Sequence, residues 1–302
     1  CSREERFRTL RSKWYERSIR AGKNGIIGTS DDLVGLNNIK TTKKDYHLIN
    51  TKDDLNKLIK EIEKYDVLSI DLETSGLNKN ESDIVGIALS FKENTGYYIA
   101  VINDTELGEK QSQNETMFEQ IEIDEVQSVR KLRAEKSLPI DYVIEQLKPI
   151  IESEKIGKCG QNIKFDQYIL MRYGVLITPI IFDSMVASFV LNPDEKHNLD
   201  ELSEKWLGYK PVSITTLIGE KKKDQKSMAD LNPEEISDYA CEDADMALQL
   251  KNRMEKQLLG SEQEKLAYEI EFPTITVLNR MEMAGVSIDT DALEELQAEI
   301  TK

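Results

Sequence analysis

In VLSIDLETSGL (67–77) an apolar run is interrupted at alternate positions by Asp71 and Glu73. Residues two apart in a strand share a side, so this pattern predicts a strand that ends with two carboxylates next to each other. Charges are almost never buried unless they are paired or bind a metal, so these two demand an explanation. Around them the pattern predicts further elements. Residues 46–50 suit an edge strand, and Thr51 suits the cap of a helix running through DDLNKLIKEIEKY, with acids in its first turn. SDIVGIALSF (82–91) and TGYYIAV (95–101) read as two more strands, and KIGKCG (155–160) as a short one. Residues 141–151 read as a helix. Apolar residues recur with helical spacing over 161–173, 183–191, 198–207, 233–258 and 261–284. Asn232-Pro233-Glu234-Glu235 has the composition of a helix start. Residues 3–20 have helical character with Phe7, Leu10 and Trp14 on one stripe; 21–44 read as a linker, and 103–134 as a polar surface insertion without a clear period. The expected architecture is α/β: a mixed sheet with helices packed against it.

Composition narrows this picture in three ways. The 302 residues contain 32% charged and 39% hydrophobic residues, enough for a sizeable core, and no apolar run of membrane-spanning length. The chain begins with Cys1 rather than Met and is expected to be an excised fragment. Its three cysteines, Cys1, Cys159 and Cys241, lack CxxC spacing, which favours a reduced, cytosolic-type compartment over a disulfide framework or a zinc site. The net charge of −16 argues against duplex binding through a broad basic face. Residues 1–24 are the exception, with eight Lys/Arg against three Glu. They read as a solvated arm or as a docking or nucleic-acid contact segment.

Two further stretches carry acids at helical spacing. GQNIKFDQYIL (160–170) places Asn162 and Asp166 four apart, and DYACEDADMALQL (238–250) places Tyr239 and Asp243 four apart, beside Glu242 and Asp245. Read alone, the first is a capping Asn with a surface Asp, and the second a charged helix face. Read together with Asp71 and Glu73, they offer four carboxylates whose mutual repulsion needs cations to offset it. Hard oxygen ligands suit Mg²⁺ or Mn²⁺. Two such ions about 3.5–4 Å apart are the arrangement used for in-line phosphodiester cleavage. Tyr239, one turn before Asp243, is placed to hold an attacking water.

The order Asp71-x-Glu73, then Asn162-x3-Asp166 with Phe165 before the acid, then Tyr239-x3-Asp243 resembles the three motifs of the DEDDy class of 3′–5′ exonucleases. GKCGQNIKFDQYIL, IIFDSMVASFVLNP, NLDELSEKWLGYK and YACEDADMALQL are similar to the proofreading domain of bacterial-type family A DNA polymerases, and the resemblance covers roughly 45–258. EFPTITVLNRMEMAGVSIDTDAL (271–293) resembles the start of the polymerase thumb, so the implied organisation is a basic arm and linker (1–44), an exonuclease domain (45–258) and a truncated thumb region (259–302). The resemblance implies an RNase H-like fold and proofreading of single-stranded or frayed DNA 3′ ends. It also implies two divalent cations, a polymerase domain in the full-length chain as partner, no membrane, and a bacterial cytoplasmic, nucleoid-associated setting. It implies that Asp71, Glu73 and Asp243 bind one cation and Asp71 and Asp166 the other. Tyr239 would orient the nucleophile, Leu77 would wedge against the terminal base, and Thr74, Asn162 and Phe165 would contact the substrate end. Ile214 stands where the family often carries a stacking aromatic.

Other residues have plainer readings. His197 reads as a cap or surface residue, Trp206 and Tyr209 as packing groups, and Cys241 as a small buried residue. Lys221, Lys222, Lys223 and Lys226 read as a solvated loop or a contact to the phosphate backbone of a single nucleic-acid strand. An RNA-trimming exonuclease and a catalytically silent module that braces a polymerase are the alternatives. An accepted 2′-hydroxyl would mark the first, and absent metal binding the second.

Overall fold

The computed structural model describes residues 36–103, 131–220 and 225–301. The basic arm, most of the acidic insertion and Lys221–Lys223 lie outside the described residues. From Asn37 onward the chain forms a single compact unit. Its sheet follows the order β1 (Asp45–Ile49), β4 (Thr95–Ile102), β3 (Ile84–Ser90), β2 (Val67–Thr74), β6 (Gly157–Gly160), β7 (Ile180–Asp183). A two-residue strand, β5 (Leu138–Pro139), pairs in parallel with the last two residues of β4, Val101 and Ile102. β3 runs antiparallel to both neighbours, while the β1–β4, β2–β6 and β6–β7 pairs are parallel. The sheet is therefore mixed, as the sequence predicts.

The alternation in β2 sorts its residues onto two faces. Leu68, Ile70 and Leu72 join the largest apolar cluster, with Leu55, Leu58 and Ile62 of α1 (Lys52–Ile62) and Val143, Leu147 and Ile150 of α2 (Ile140–Ile151). Ser69, Asp71 and Glu73 take the intervening positions. Their cross-strand partners are small: Ala88 faces Asp71, and Gly86 faces Glu73. On that second face Val85, Ala88, Tyr98 and Ala100 of the sheet pack against Ile236, Ala240, Cys241 and Ala244. These four come from a long helix, which becomes α7 after α3 (Ile163–Arg172), α4 (Ser184–Leu191), α5 (Leu199–Leu207) and the short α6 (Thr215–Ile218) are counted. α7 spans Pro233–Leu258, with Pro233 in its first turn and the predicted start at Asn232 closed by the Asn232 backbone amide donating to Glu235 Oε2 (2.8 Å). Small residues let it sit close. A Cβ on Gly96 would lie 2.6 Å from Cys241 Cβ and 2.8 Å from the Cys241 carbonyl.

Three elements depart from the expected pattern. IIFD forms strand β7, because its backbone completes the sheet beside β6, and helix α4 begins only after Asp183. α3 starts at Ile163 because Asn162 turns the chain with a left-handed backbone, φ 55°. The 261–284 pattern divides into a π-helical turn (Leu266–Glu271) and α8 (Phe272–Ala284), followed by α9 (Thr290–Ile300). Phe272 packs on Phe182 of β7, so α8 rests on the same body as the sheet.

One buried cation sits in the sheet itself. Lys158 of β6 is fully buried, and its ammonium donates to the carbonyls of Ser153 (2.7 Å), Ile156 (2.7 Å) and Thr178 (2.6 Å). These bonds replace water around the charge, while burial pushes its pKa down to about 7.

Gly96→Val is expected to destabilise the chain by about 2–3 kcal/mol, since the new methyls meet helix backbone that cannot move aside. Urea unfolding measures this; an unchanged midpoint would mean that α7 does not rest on β4 at this point.

Candidate metal centre

Two structural devices bring the acids together. α7 carries Asp243 over the sheet face that bears Asp71 and Glu73. The three residues each offer a carboxylate oxygen within 4.8 Å of the others. The second device acts at the strand edge. β6 pairs with β2 only as far as Ser69, which leaves the later β2 amides on that side without a strand partner. The chain turns there at Gly160, where a Cβ would lie 2.8 Å from the Ile70 carbonyl, and α3 takes the place of the missing strand. Asp166 of α3 accepts the Leu72 amide, between the two β2 carboxylates.

The site is electrostatically strained. Glu73 and Asp166 are buried and Asp71 is half-buried. Burial raises the pKa of all four acids. Asp71 is pushed up to about 7, and its charge in turn raises Glu73, Asp166 and Asp243. The Tyr239 hydroxyl donates to Asp243 and partly relieves it. Among the described residues no lysine or arginine pairs with any of the four. The Glu73 Oε1 atom is buried and accepts no hydrogen bond. A buried, unpartnered carboxylate oxygen inside a set of hard oxygen donors fits a divalent cation.

The predicted substrate residues lie at or near the ends of strands and helices. A bulge between Glu73 and Thr74 ends β2, and the Thr74 hydroxyl donates to the Gly76 carbonyl (2.8 Å), which shapes the next turn. Leu77, at the tip, is 87% exposed. Asn162 stands at the left-handed turn before α3, and its side chain caps nothing there. Phe165 is half-buried against the large core. Ile214 is exposed at the start of α6.

The other acids of the α7 stretch do different work from Asp243. Asp245 accepts from Lys44 Nζ (2.8 Å), Tyr46 Oη (2.9 Å), the Asn94 amide (2.8 Å) and Gln249 Nε2 (2.9 Å). Glu242 accepts from the Tyr209 hydroxyl and from the Val212 amide (2.6 Å). A stretch that read as one charged face thus holds one site acid and two buried clamps. His197 is half-buried, with Nδ1 2.9 Å from Ser188 Oγ, while Asn198 caps α5.

Asp183 is the residue the sequence reading missed. Fully buried at the end of β7, it accepts the amides of Val186 (3.0 Å), Ile163 (2.8 Å) and Asn162 (3.4 Å). It thereby caps α4 and ties down the start of α3, the helix that carries Asp166. The available signal was an Asp directly before a helical run, which is cap chemistry for α4. Nothing local shows its second helix.

The raised carboxylates fix the sign of a pH effect. Without metal, the folded chain keeps protons that the unfolded chain has released, so stability is lost as pH rises from about 4 towards 7. In chelator, the urea midpoint is expected to be lower at pH 8 than at pH 6, with a smaller difference in Asp71→Asn. Equal differences in the two proteins would show that Asp71 ionises freely.

Known proteins resemble this chain in sequence and in fold. A family model described as 3′–5′ exonuclease matches residues 46–259. DNA polymerase I of Borreliella burgdorferi is 33% identical over 267 residues, covering 88% of this chain and 26% of the relative. DNA polymerase I of Pseudomonas aeruginosa is 23% identical, covering 96% of this chain and 28% of the relative. The chain therefore spans about a quarter of the length of these relatives. Among solved structures, the POL domain of Pol1 from M. smegmatis in complex with DNA primer-template and dNTP aligns with TM-score 0.58 and 15% identity, over 84% of this chain and 35% of that one. Escherichia coli RNase D, an exoribonuclease, aligns with TM-score 0.55 and 15% identity, over 78% and 51%. Both share the fold.

Proposed function

Because the chain belongs to the 3′–5′ exonuclease family, we propose that it hydrolyses the terminal phosphodiester of single-stranded or frayed DNA 3′ ends, as the proofreading part of a longer polymerase chain. The observation that carries this reading is the convergence of Asp71, Glu73 and Asp243 beside Asp166, with an unpartnered Glu73 oxygen among them. DNA is favoured over RNA because the relatives matched over most of the chain are DNA polymerases. The same relatives suggest a polymerase domain in the same full-length chain as the partner, with 259–302 as its beginning, and a place at the bacterial nucleoid. Among the described residues no helix is long and apolar enough to cross a membrane.

In this reading Asp71, Glu73 and Asp243 hold one divalent cation, Mg²⁺ or Mn²⁺, and Asp71 and Asp166 a second. Bound there, the cations supply a nucleophile at neutral pH and offset the charge that builds on the phosphate. The chain's own groups do the rest. The Tyr239 hydroxyl, already aligned on Asp243, accepts a hydrogen bond from the attacking water and orients it. Leu77, exposed on its turn, inserts against the terminal base and holds it unstacked. Thr74, Asn162 and Phe165 border the sugar and phosphate of the last nucleotide. Such a site has no base-edge readout, so its preference for mismatches comes from the smaller cost of fraying them.

Digestion of a 5′-labelled single-stranded DNA tests the reading. A ladder shortening from the 3′ end is expected with Mg²⁺ or Mn²⁺ and absent in chelator. Asp71→Ala and Asp243→Ala are expected to lose about 10³-fold in rate, as when charge-stabilising groups are removed. Tyr239→Phe, which loses one hydrogen bond to a charged partner, is expected to lose about 10- to 100-fold. A wild-type chain that leaves the DNA intact under both metals would refute the activity.

A further inference from the structure

A buried polar network that the chemistry above does not use lies behind Asp166. Asn279, in the middle of α8, is fully buried. Its Nδ2 donates to the Lys164 carbonyl (2.8 Å) and to Gln167 Oε1 (2.9 Å). Gln167 is also buried, and its Nε2 donates to the Ile177 carbonyl (3.0 Å) and to Thr276 Oγ1 (3.2 Å). Lys164 and Gln167 bracket Phe165 and Asp166, so Asn279 grips the turn of α3 that presents the acid. Three residues further on, Glu282 pairs with both Lys164 and Lys79. Lys79 belongs to the β2–β3 loop that carries Leu77. The same loop is tied to α3 through Tyr168 Oη to Asn80 Oδ1 (2.5 Å) and Arg172 to the Lys79 carbonyl (3.1 Å).

Packing alone does not call for these residues. Ile275 on the same helix shows that apolar side chains serve at this interface. A buried amide costs stability unless it is bonded, and Asn279 Oδ1 has no partner. What the amide adds over an apolar residue is a fixed register between α8 and α3. Glu282 adds less, because half-exposed ion pairs are weak.

We propose that Asn279 is a positioning residue of this active site, with Glu282 as a second, weaker tie. It fixes the α3 turn bearing Asp166 against β2, and so sets where the second cation is held. α8 lies beyond residues 46–259, so the framework of the site extends past the part of the chain that the family model matches. The proposal rests on the metal-dependent reading given above.

The test uses the whole chain and two readouts, Mn²⁺ binding by calorimetry and steady-state digestion of single-stranded DNA, well below each variant's unfolding temperature. Asn279→Ala is expected to weaken the looser Mn²⁺ site and lower kcat by about 10-fold each, the scale seen when groups behind a metal ligand are removed. KM for DNA should stay within about 2-fold, since the substrate contacts remain. Leu58→Ala, a core truncation on α1, serves as the control and should change neither readout while lowering stability. If Asn279→Ala behaves like Leu58→Ala, Asn279 only packs and the proposal is overturned. If Asn279→Ala does not fold, Glu282→Gln decides, with a loss of about 3-fold in kcat and Mn²⁺ affinity supporting the proposal and no change refuting it. A wild-type chain that binds Mn²⁺ but does not cut would refute the nuclease reading, while the Mn²⁺ isotherm of Asn279→Ala still judges the brace. A wild-type chain that binds no Mn²⁺ overturns both.

Discussion

Like charges brought within 4.8 Å of one another in a partly dry site repel, and burial removes the water that would otherwise screen them. No arrangement of Asp71, Glu73, Asp243 and Asp166 escapes this. The chain can only hold them against their repulsion and wait for protons or cations to offset it. Much of the architecture serves that end. A strand supplies two acids at fixed spacing, a long helix pressed on small residues supplies the third, and a helix docked into an unpaired strand edge supplies the fourth.

Each support is rigid for an identifiable reason. α7 cannot drift from the sheet because Gly96 and Cys241 leave no gap to slide in. It cannot rotate because Asp245 and Glu242, on either side of Asp243, are locked by Lys44, Tyr46 and Tyr209. α3 is anchored at its start by Asp183 and along its back by Asn279. The polar residues buried around the site are therefore hydrogen-bonded where they hold position. Glu73 Oε1 is left unpartnered. A cation would meet ligands already in place, so little ordering cost remains to be met on binding.

Local pattern and tertiary consequence diverge most clearly in acids of the same type. Asp71 and Glu73 were legible because residues two apart share a strand face, and Asp243 because it lies four after Tyr239 on one helix; Asp166 was legible only through motif order, since Asn162 stands outside the helix rather than on its face. Glu242 and Asp245 share the same helix stretch and the same chemistry, yet they are clamps, and no local feature separates them from Asp243. Lys158 looks like a misplaced charge in a central strand until three carbonyls, two from the turn before β6 and one from the loop before β7, are seen around its ammonium.

The sequence by itself determined the mixed α/β architecture, most of the helices and strands, and the residues able to carry the chemistry. Those follow from hydrophobic period, cap composition and motif order, which act over a few residues. Tertiary structure alone decided that IIFD would be a strand, since its partner is β6 and its own pattern is silent. It alone decided that Asp183 would cap two helices and that Asn279 would reach back 115 positions to α3. Hydrogen bonds and desolvation depend on which groups meet in space, and a linear pattern records only which groups are neighbours along the chain.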